Sequence, residues 1–196
     1  MTIKLETTGI PVKNRGRYYN FSDLSKYANS RLVKISWIIQ NYEEQIIKSY
    51  ENVIKPDNFT IPQESYLING INNEYALNNG IEFETVAKEL KEDVKRVKFI
   101  IGHNYEFVKN ILMSELHRIK IGDTINEFID KKHFCTANGT KTILKIDNAK
   151  NGYKMPTMNE LYKYCFNEDM NTGNNTLETV KNTAKCFFHI IKMQKQ

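Results

Sequence analysis

Two charged residues near the start of the chain, Lys4 and Glu6, are spaced to act together. They sit in Thr2-Ile3-Lys4-Leu5-Glu6-Thr7-Thr8-Gly9-Ile10-Pro11, where apolar alternation ends at Gly9 and Pro11 and predicts a strand running into a turn. Side chains two apart on a strand share a face, so an ammonium and a carboxylate meet there and can pair. Just past the turn, Lys13-Asn14-Arg15-Gly16-Arg17-Tyr18-Tyr19 sets three cations beside two aromatic rings. Phosphate attraction combined with base stacking is the physics of single-strand nucleic-acid binding. A solvated loop with incidental tyrosines is the other reading of the same residues. Cys135, Cys165 and Cys186 are far apart, with no Cys-x-x-Cys or clustered histidine that would suggest zinc. They read as buried thiols in a reducing compartment.

The elements that must position these groups follow from periodicity. Strands are expected near residues 1–6, 31–40 and 45–55, forming an antiparallel meander whose second and third members are joined at Asn41-Tyr42-Glu43. The run Phe99-Ile100-Ile101 breaks at Gly102, and Phe107, Val108, Ile111, Leu112, Leu116 and Ile119 then form one helical stripe. A strand near 98–102 therefore delivers His103 and Asn104 to a helix start. A further strand is expected near 133–136, with helices near 157–166 and 174–193, the last burying Leu177, Val180, Ala184, Phe187 and Ile191. Asn138-Gly139 and Asn151-Gly152 predict turns within 137–155, with a small hairpin in a flexible insertion over the cleft. The whole reads as one domain, 1–196, of mixed-sheet α/β class with helices on both faces.

Composition bounds the function without naming it. The 196 residues, 40% hydrophobic, suffice for one domain with a core, and no Pro- or Ser-rich linker divides them. A net charge of +5 permits polyanion binding. Cations at Lys88, Lys91, Lys95 and Arg96 alternate with Glu89, Glu92 and Asp93 and read as a solvated helix face. No apolar run approaches the roughly 18 to 20 residues that cross a bilayer, and Lys4 and Glu6 interrupt any signal-like start. A cytoplasmic protein, not secreted and without a membrane partner, is expected.

Three segments, Thr2–Pro11, Ile101-Gly102-His103-Asn104-Tyr105-Glu106-Phe107-Val108 and Asn174–Phe188, resemble in order and spacing the three active-site motifs of the DnaQ-like (DEDDh) 3′–5′ exonuclease family. Between them, Ser30–Ile39 is similar to the family's second strand. Asn52–Pro56 followed by Ile61-Pro62 is similar to the end of its third, and Asn69-Gly70-Ile71 to the turn after it. Gly152–Tyr162 resembles the helix that precedes the last motif. The likeness covers nearly the whole chain and implies a ribonuclease-H-like fold. It is greatest to stand-alone exonuclease-like proteins of large DNA viruses, which implies the infected-cell cytoplasm or the virion.

The chemistry of that family needs two divalent ions about 3.5 to 4 Å apart to clamp the scissile phosphate and activate water. Magnesium wants oxygen ligands, supplied by four carboxylates, with a histidine as general base. Laid on this sequence, the first aspartate falls on Lys4, the glutamate is kept as Glu6, the second aspartate falls on Val108, the histidine on Asn174 and the last aspartate on Thr179. An ammonium at Lys4 repels a metal, and its pairing with Glu6 would replace the ion. Each departure also has a structural account: Val108 extends its apolar stripe, Asn174 or Asn175 can cap a helix with Glu178, and Thr179 can bond back to its own helix.

Groups that serve substrate in the family are retained. Thr7-Thr8-Gly9-Ile10 matches the turn that cradles the terminal nucleotide, and His103-Asn104 opens the second motif. Gly9 also fits a turn that needs φ freedom. With Lys13, Arg15 and Arg17, these are the expected nucleic-acid contacts. The expectation is a degenerate exonuclease homologue with no cofactor, binding a single strand or 3′ end or serving as a subunit of a replication, transcription or packaging complex. Two alternatives stay open. One is an active enzyme using Mg or Mn with Glu106, Glu178 or Asp123 as displaced ligands, although Glu178 points about 100° away from Thr179 around its helix. The other is a protein-interaction scaffold.

Overall fold

The structure, a computed structural model, describes residues 1–148 and 152–194. In chain order its elements are β1 (Thr2–Thr7), β2 (Lys13–Asn14), β3 (Arg17–Tyr18), a 3-10 turn at Leu24–Tyr27, β4 (Leu32–Gln40), β5 (Ile46–Val53), α1 (Gln63–Asn69), α2 (Asn73–Asn79), α3 (Phe83–Arg96), β6 (Phe99–Gly102), α4 (Tyr105–Arg118), α5 (Gly122–Ile129), β7 (Lys132–Cys135), α6 (Thr136–Leu144), α7 (Met158–Phe166) and α8 (Thr176–Met193). The main sheet has the order β5-β4-β1-β6-β7. β1, β4 and β5 form the antiparallel meander, with Lys4 opposite Ser36 and Ser36 opposite Glu51. β6 and β7 continue parallel to β1.

Alternation on the strands sends side chains to two faces, and each face finds helices. Ile3, Leu5, Ile35 and Trp37 join Val86, Leu90 and Val94 of α3 and Val108, Ile111 and Leu112 of α4 in the principal core. Ile38, on the opposite face of β4, packs on Val180 and Ala184 of α8. Burying a side chain of this size contributes roughly 1.5–3 kcal/mol. The one tryptophan shows how polarity is handled inside: Trp37 is fully buried, its Nε1 donates to Asp93 Oδ2 at 2.8 Å, and Tyr50 stacks on it with ring centroids 3.9 Å apart. Asp93, itself buried, is neutralised by Lys48 Nζ at 2.7 Å.

One expected segment differs. Residues 136–144 are a helix, α6, and not part of a loop. Asn138-Gly139 reads as a turn, but Cys135 Sγ accepts from Asn138 N at 3.4 Å at the helix start and Thr140 Oγ1 donates to Thr136 O at 2.6 Å. Glycine serves packing here, because a Cβ on Gly139 would lie 2.5 Å from the Phe134 ring. The expected hairpin survives as one antiparallel bridge, Asp147 to Tyr153, with Asn148 N donating to Gly152 O at 2.9 Å. Asn151 of the predicted Asn151-Gly152 turn lies outside the described residues. On the last helix, Val180, Ala184 and Phe187 are buried as expected, whereas Leu177 and Ile191 are only half-buried. The buried arc also takes in Thr176, Thr179, Asn182 and Thr183, polar residues that periodicity of hydrophobicity does not register.

Candidate functional site

Parallel strands β1, β6 and β7 end side by side, and the crevice outside the carboxyl ends of such strands is where α/β proteins place their sites. Glu6 and Thr7 come from β1, His103 from the residue after β6, and Thr136 from the residue after β7. The α8 N-terminus and the α1 C-terminus close the same region: a Cβ on Gly70, the α1 cap with φ 74°, would lie 2.9 Å from Asn174 Nδ2. Gly70 therefore answers both to its left-handed backbone and to the close approach of Asn174.

Lys4 and Glu6 form the ion pair that their spacing allows. Glu6 Oε1 also accepts from Thr176 Oγ1 at 3.3 Å, which ties β1 to the first turn of α8. Val108 is 2% exposed within the principal core and offers no oxygen. Thr179 bonds back to Asn175 O at 3.1 Å, as a threonine inside a helix does. Asn174 is exposed, while Asn175 is the N-cap, its side chain accepting from Glu178 N at 2.9 Å. The acids that could substitute as ligands are each engaged by a lysine: Glu106 with Lys109 at 3.7 Å, Glu178 with Lys181 at 3.1 Å, and Asp123 with Lys91 at 3.4 Å. Among the described residues no three His, Cys, Asp or Glu side chains converge. The donor set, an ammonium, one paired carboxylate and a core valine, does not fit two hard divalent cations.

His103 is held inside the protein. Its Nε2 lies 3.0 Å from the Pro156 carbonyl and its Nδ1 2.9 Å from Thr136 Oγ1. A carbonyl only accepts, so Nε2 carries the proton and Nδ1 accepts from the hydroxyl. Burial pushes its pKa down to about 4; the bond to Pro156 opposes that and the nearby Lys4 ammonium adds to it. Both ring nitrogens are thus engaged by protein groups, whereas Asn104, in the left-handed conformation ahead of α4, is exposed.

The Thr7–Ile10 turn is rigidly bonded. Thr7 Oγ1 donates to Gly9 O at 2.7 Å, Thr8 Oγ1 donates to Asn29 O at 3.1 Å and accepts from Arg31 N at 2.8 Å, and Ser65 Oγ of α1 donates to Thr7 O at 3.0 Å. Gly9 does not have a positive φ; a Cβ there would meet Asn29 O at 2.6 Å, so close backbone approach fixes the glycine. Ile10 projects into solvent, 76% exposed, and a groove of about 310 Å³ runs from the turn past Asn29, Arg31 and Phe59. Lys13, Arg15 and Arg17 stand exposed on the β2–β3 hairpin, with Lys13 Nζ 4.1 Å from the Tyr18 ring centroid.

Several groups at this site escape sequence reasoning. Thr176 and Ser65 reach the site through contacts distant in sequence. Leu67 and Ile68 of α1 are 73% and 75% exposed although a short apolar run predicts burial. A larger cleft, about 470 Å³, surrounds Arg31, Glu115 and Arg118 and includes neither Lys4 nor Glu6.

With this geometry in view, a ribonuclease-H-like exonuclease domain is the class defined by the mixed sheet and the site at its strand ends. The family model described as "Exonuclease", RNase T, matches residues 3–168, and the chain belongs to that family. Among solved structures it is similar to Escherichia coli exonuclease I in complex with a dT13 oligonucleotide, with a TM-score of 0.74 and 14% identity over 99% of this chain and 41% of that one. Exonuclease I from Methylocaldum szegediense gives 0.73 and 14%, over 100% and 40%. Exonuclease X in complex with 5′ overhanging duplex DNA gives 0.61 and 14%, over 100% and 92%. The chain thus spans about 40% of the exonuclease I structures and nearly all of exonuclease X. Comparison with curated protein sequences gives no match.

Proposed function

We propose that this protein is a catalytically degenerate 3′–5′ exonuclease homologue whose cleft binds a single nucleic-acid strand or its 3′ end, on its own or as a non-catalytic subunit of a larger nucleic-acid complex. The observation that carries this reading is the Lys4–Glu6 ion pair at the end of β1, with Val108 sealed in the core and Thr179 bonded to its own helix. Metal-assisted phosphodiester hydrolysis needs a cluster of anionic oxygens at that place. Binding needs less: cations for phosphate and apolar surface for bases, which Lys13, Arg15, Arg17, Ile10 and the exposed residues of α1 supply. The exonuclease neighbours bound to DNA support the same class of ligand.

The test is incubation of the purified protein with 5′-labelled single-stranded DNA and RNA in magnesium or manganese, resolved on a denaturing gel. Intact label together with a salt-sensitive mobility shift supports the proposal. A stepwise ladder would overturn it and direct the search to Glu106 and Glu178 as ligands. Intact label with no salt-sensitive binding would favour a protein-interaction scaffold, because phosphate contacts weaken as salt rises.

A further inference from the structure

The α8 face of the sheet carries a band of paired charges at the carboxyl end of β1. Lys4 pairs with Glu6, and Lys34 pairs with Glu51 at 3.0 Å. The strand register sets Lys4 beside Ser36 and Glu6 beside Lys34, and Ser36 Oγ donates to Glu51 Oε2 at 2.6 Å. Two ammoniums and two carboxylates leave this band neutral without any bound ion. Within it Lys4 is the most accessible side chain, 34% exposed against 19% for Glu6, 14% for Lys34 and 28% for Glu51. An approaching ligand therefore meets a cation first. Glu6 is anchored by Thr176, so the carboxylate holds the ammonium in place, and an ammonium has three donors of which Glu6 uses one. His103, neutral and committed to Thr136 and Pro156, adds no competing charge.

We propose that Lys4 Nζ is a built-in cation that grips a phosphate of the bound strand, so that the cleft engages nucleic acid without a divalent metal. This rests on the binding role proposed above and specifies how it is achieved. An ammonium–phosphate hydrogen bond is charge-assisted and works as a point contact, indifferent to base identity. A divalent ion at the same place would face the ammonium at close range and be repelled.

The experiment is fluorescence anisotropy of a short 5′-fluorescein oligothymidylate at matched ionic strength in EDTA, magnesium and manganese. The unaltered protein should bind with equal affinity in all three. Lys4→Met should weaken binding about tenfold, the effect of removing one charge-assisted hydrogen bond, and Lys4→Arg should retain it. Since Lys4→Met strands Glu6, the neutral double variant Lys4→Met/Glu6→Gln, checked for an unchanged urea midpoint, should show the same weakening. Binding that requires magnesium, or a double variant as tight as the unaltered protein, overturns the assignment to Lys4 and leaves the binding role standing. No binding in any buffer overturns both.

Discussion

At the scale of single residues, the most consequential buried charges lie away from the Lys4–Glu6 pair. Glu115, 6% exposed, accepts from Arg31 Nε at 2.7 Å and Nη2 at 3.2 Å and from Leu32 N at 3.3 Å, with Arg118 Nε 3.8 Å away. Burial, and then the neighbouring Arg31, lower the pKa of Arg118 against the pull of Glu115. Removing the carboxylate would leave two half-buried guanidiniums facing each other. Glu115→Leu is expected to cost about 3–5 kcal/mol in urea denaturation, and Arg31→Met/Glu115→Leu substantially less, because the double change leaves no Arg31 charge uncompensated. His103 gives a pH signature. Its folded pKa lies below the unfolded value of 6.5, so between about pH 6.5 and 4 the unfolded chain binds the proton and the folded one does not. Stability should therefore fall as pH drops through that window and level off below it, by an amount on the order of 3 kcal/mol. Urea midpoints at pH 7.5 and 4.5 measure this, and His103→Gln should remove most of the difference between them. A difference untouched by the substitution would assign it to other groups.

At the scale of elements, each site-bearing segment is fixed at its end. Asn175 caps α8, and the capping box between Thr157 and Glu160 starts α7; bonds to Lys154 and then to the Thr157 backbone hold the Glu160 carboxyl below its ordinary range. Asn175→Ala should lower stability by about 1 kcal/mol and loosen the turn that carries Thr176 to Glu6, read as faster amide exchange over the first turn of α8. The β2–β3 hairpin is exposed and held by its own short ladder, with Arg15 at φ 48° and Gly16 at φ 83° forming the turn. Neutralising it is thus a change of charge more than of fold. Lys13→Ser, Arg15→Ser and Arg17→Ser together should reduce the slope of log affinity against log salt by about 2, at roughly 0.7 for each single-strand phosphate that is no longer neutralised. An unchanged slope would remove the hairpin from the binding surface.

At the scale of the molecule, the sheet, its helices and the family match describe an exonuclease scaffold whose strand ends converge on an internally neutralised site. A designed reversal tests how far the scaffold alone governs activity. Lys4→Asp and Asn174→His fall at the site surface and Thr179→Asp on the buried, polar edge of α8, 8% exposed, whereas Val108→Asp would bury a carboxylate in the apolar core at a cost of several kcal/mol. The triple change should therefore fold, by circular dichroism, more readily than the version that adds Val108→Asp. If the quadruple variant is as stable as the triple, position 108 has access to the cleft in solution.

The antiparallel meander of the first long strands, the two long site helices, the Lys4–Glu6 pair and a cap at Asn174 or Asn175 are legible in the sequence, because each rests on local periodicity or on residues a few positions apart. Family motifs spread along the chain supply the topology that local reading lacks. The long-range contacts emerge only in the folded chain: Thr176 reaching Glu6, Ser65 holding Thr7, His103 closed off by Thr136 and Pro156, and Gly9 and Gly139 needed for close approach rather than for a turn. The α6 helix, where Asn-Gly predicts a turn, belongs with these, since Phe134 packing over Gly139 outweighs that propensity. Local propensities amount to about a kilocalorie per mole, and burial of one aromatic ring exceeds them, so contacts between distant segments decide wherever the two conflict.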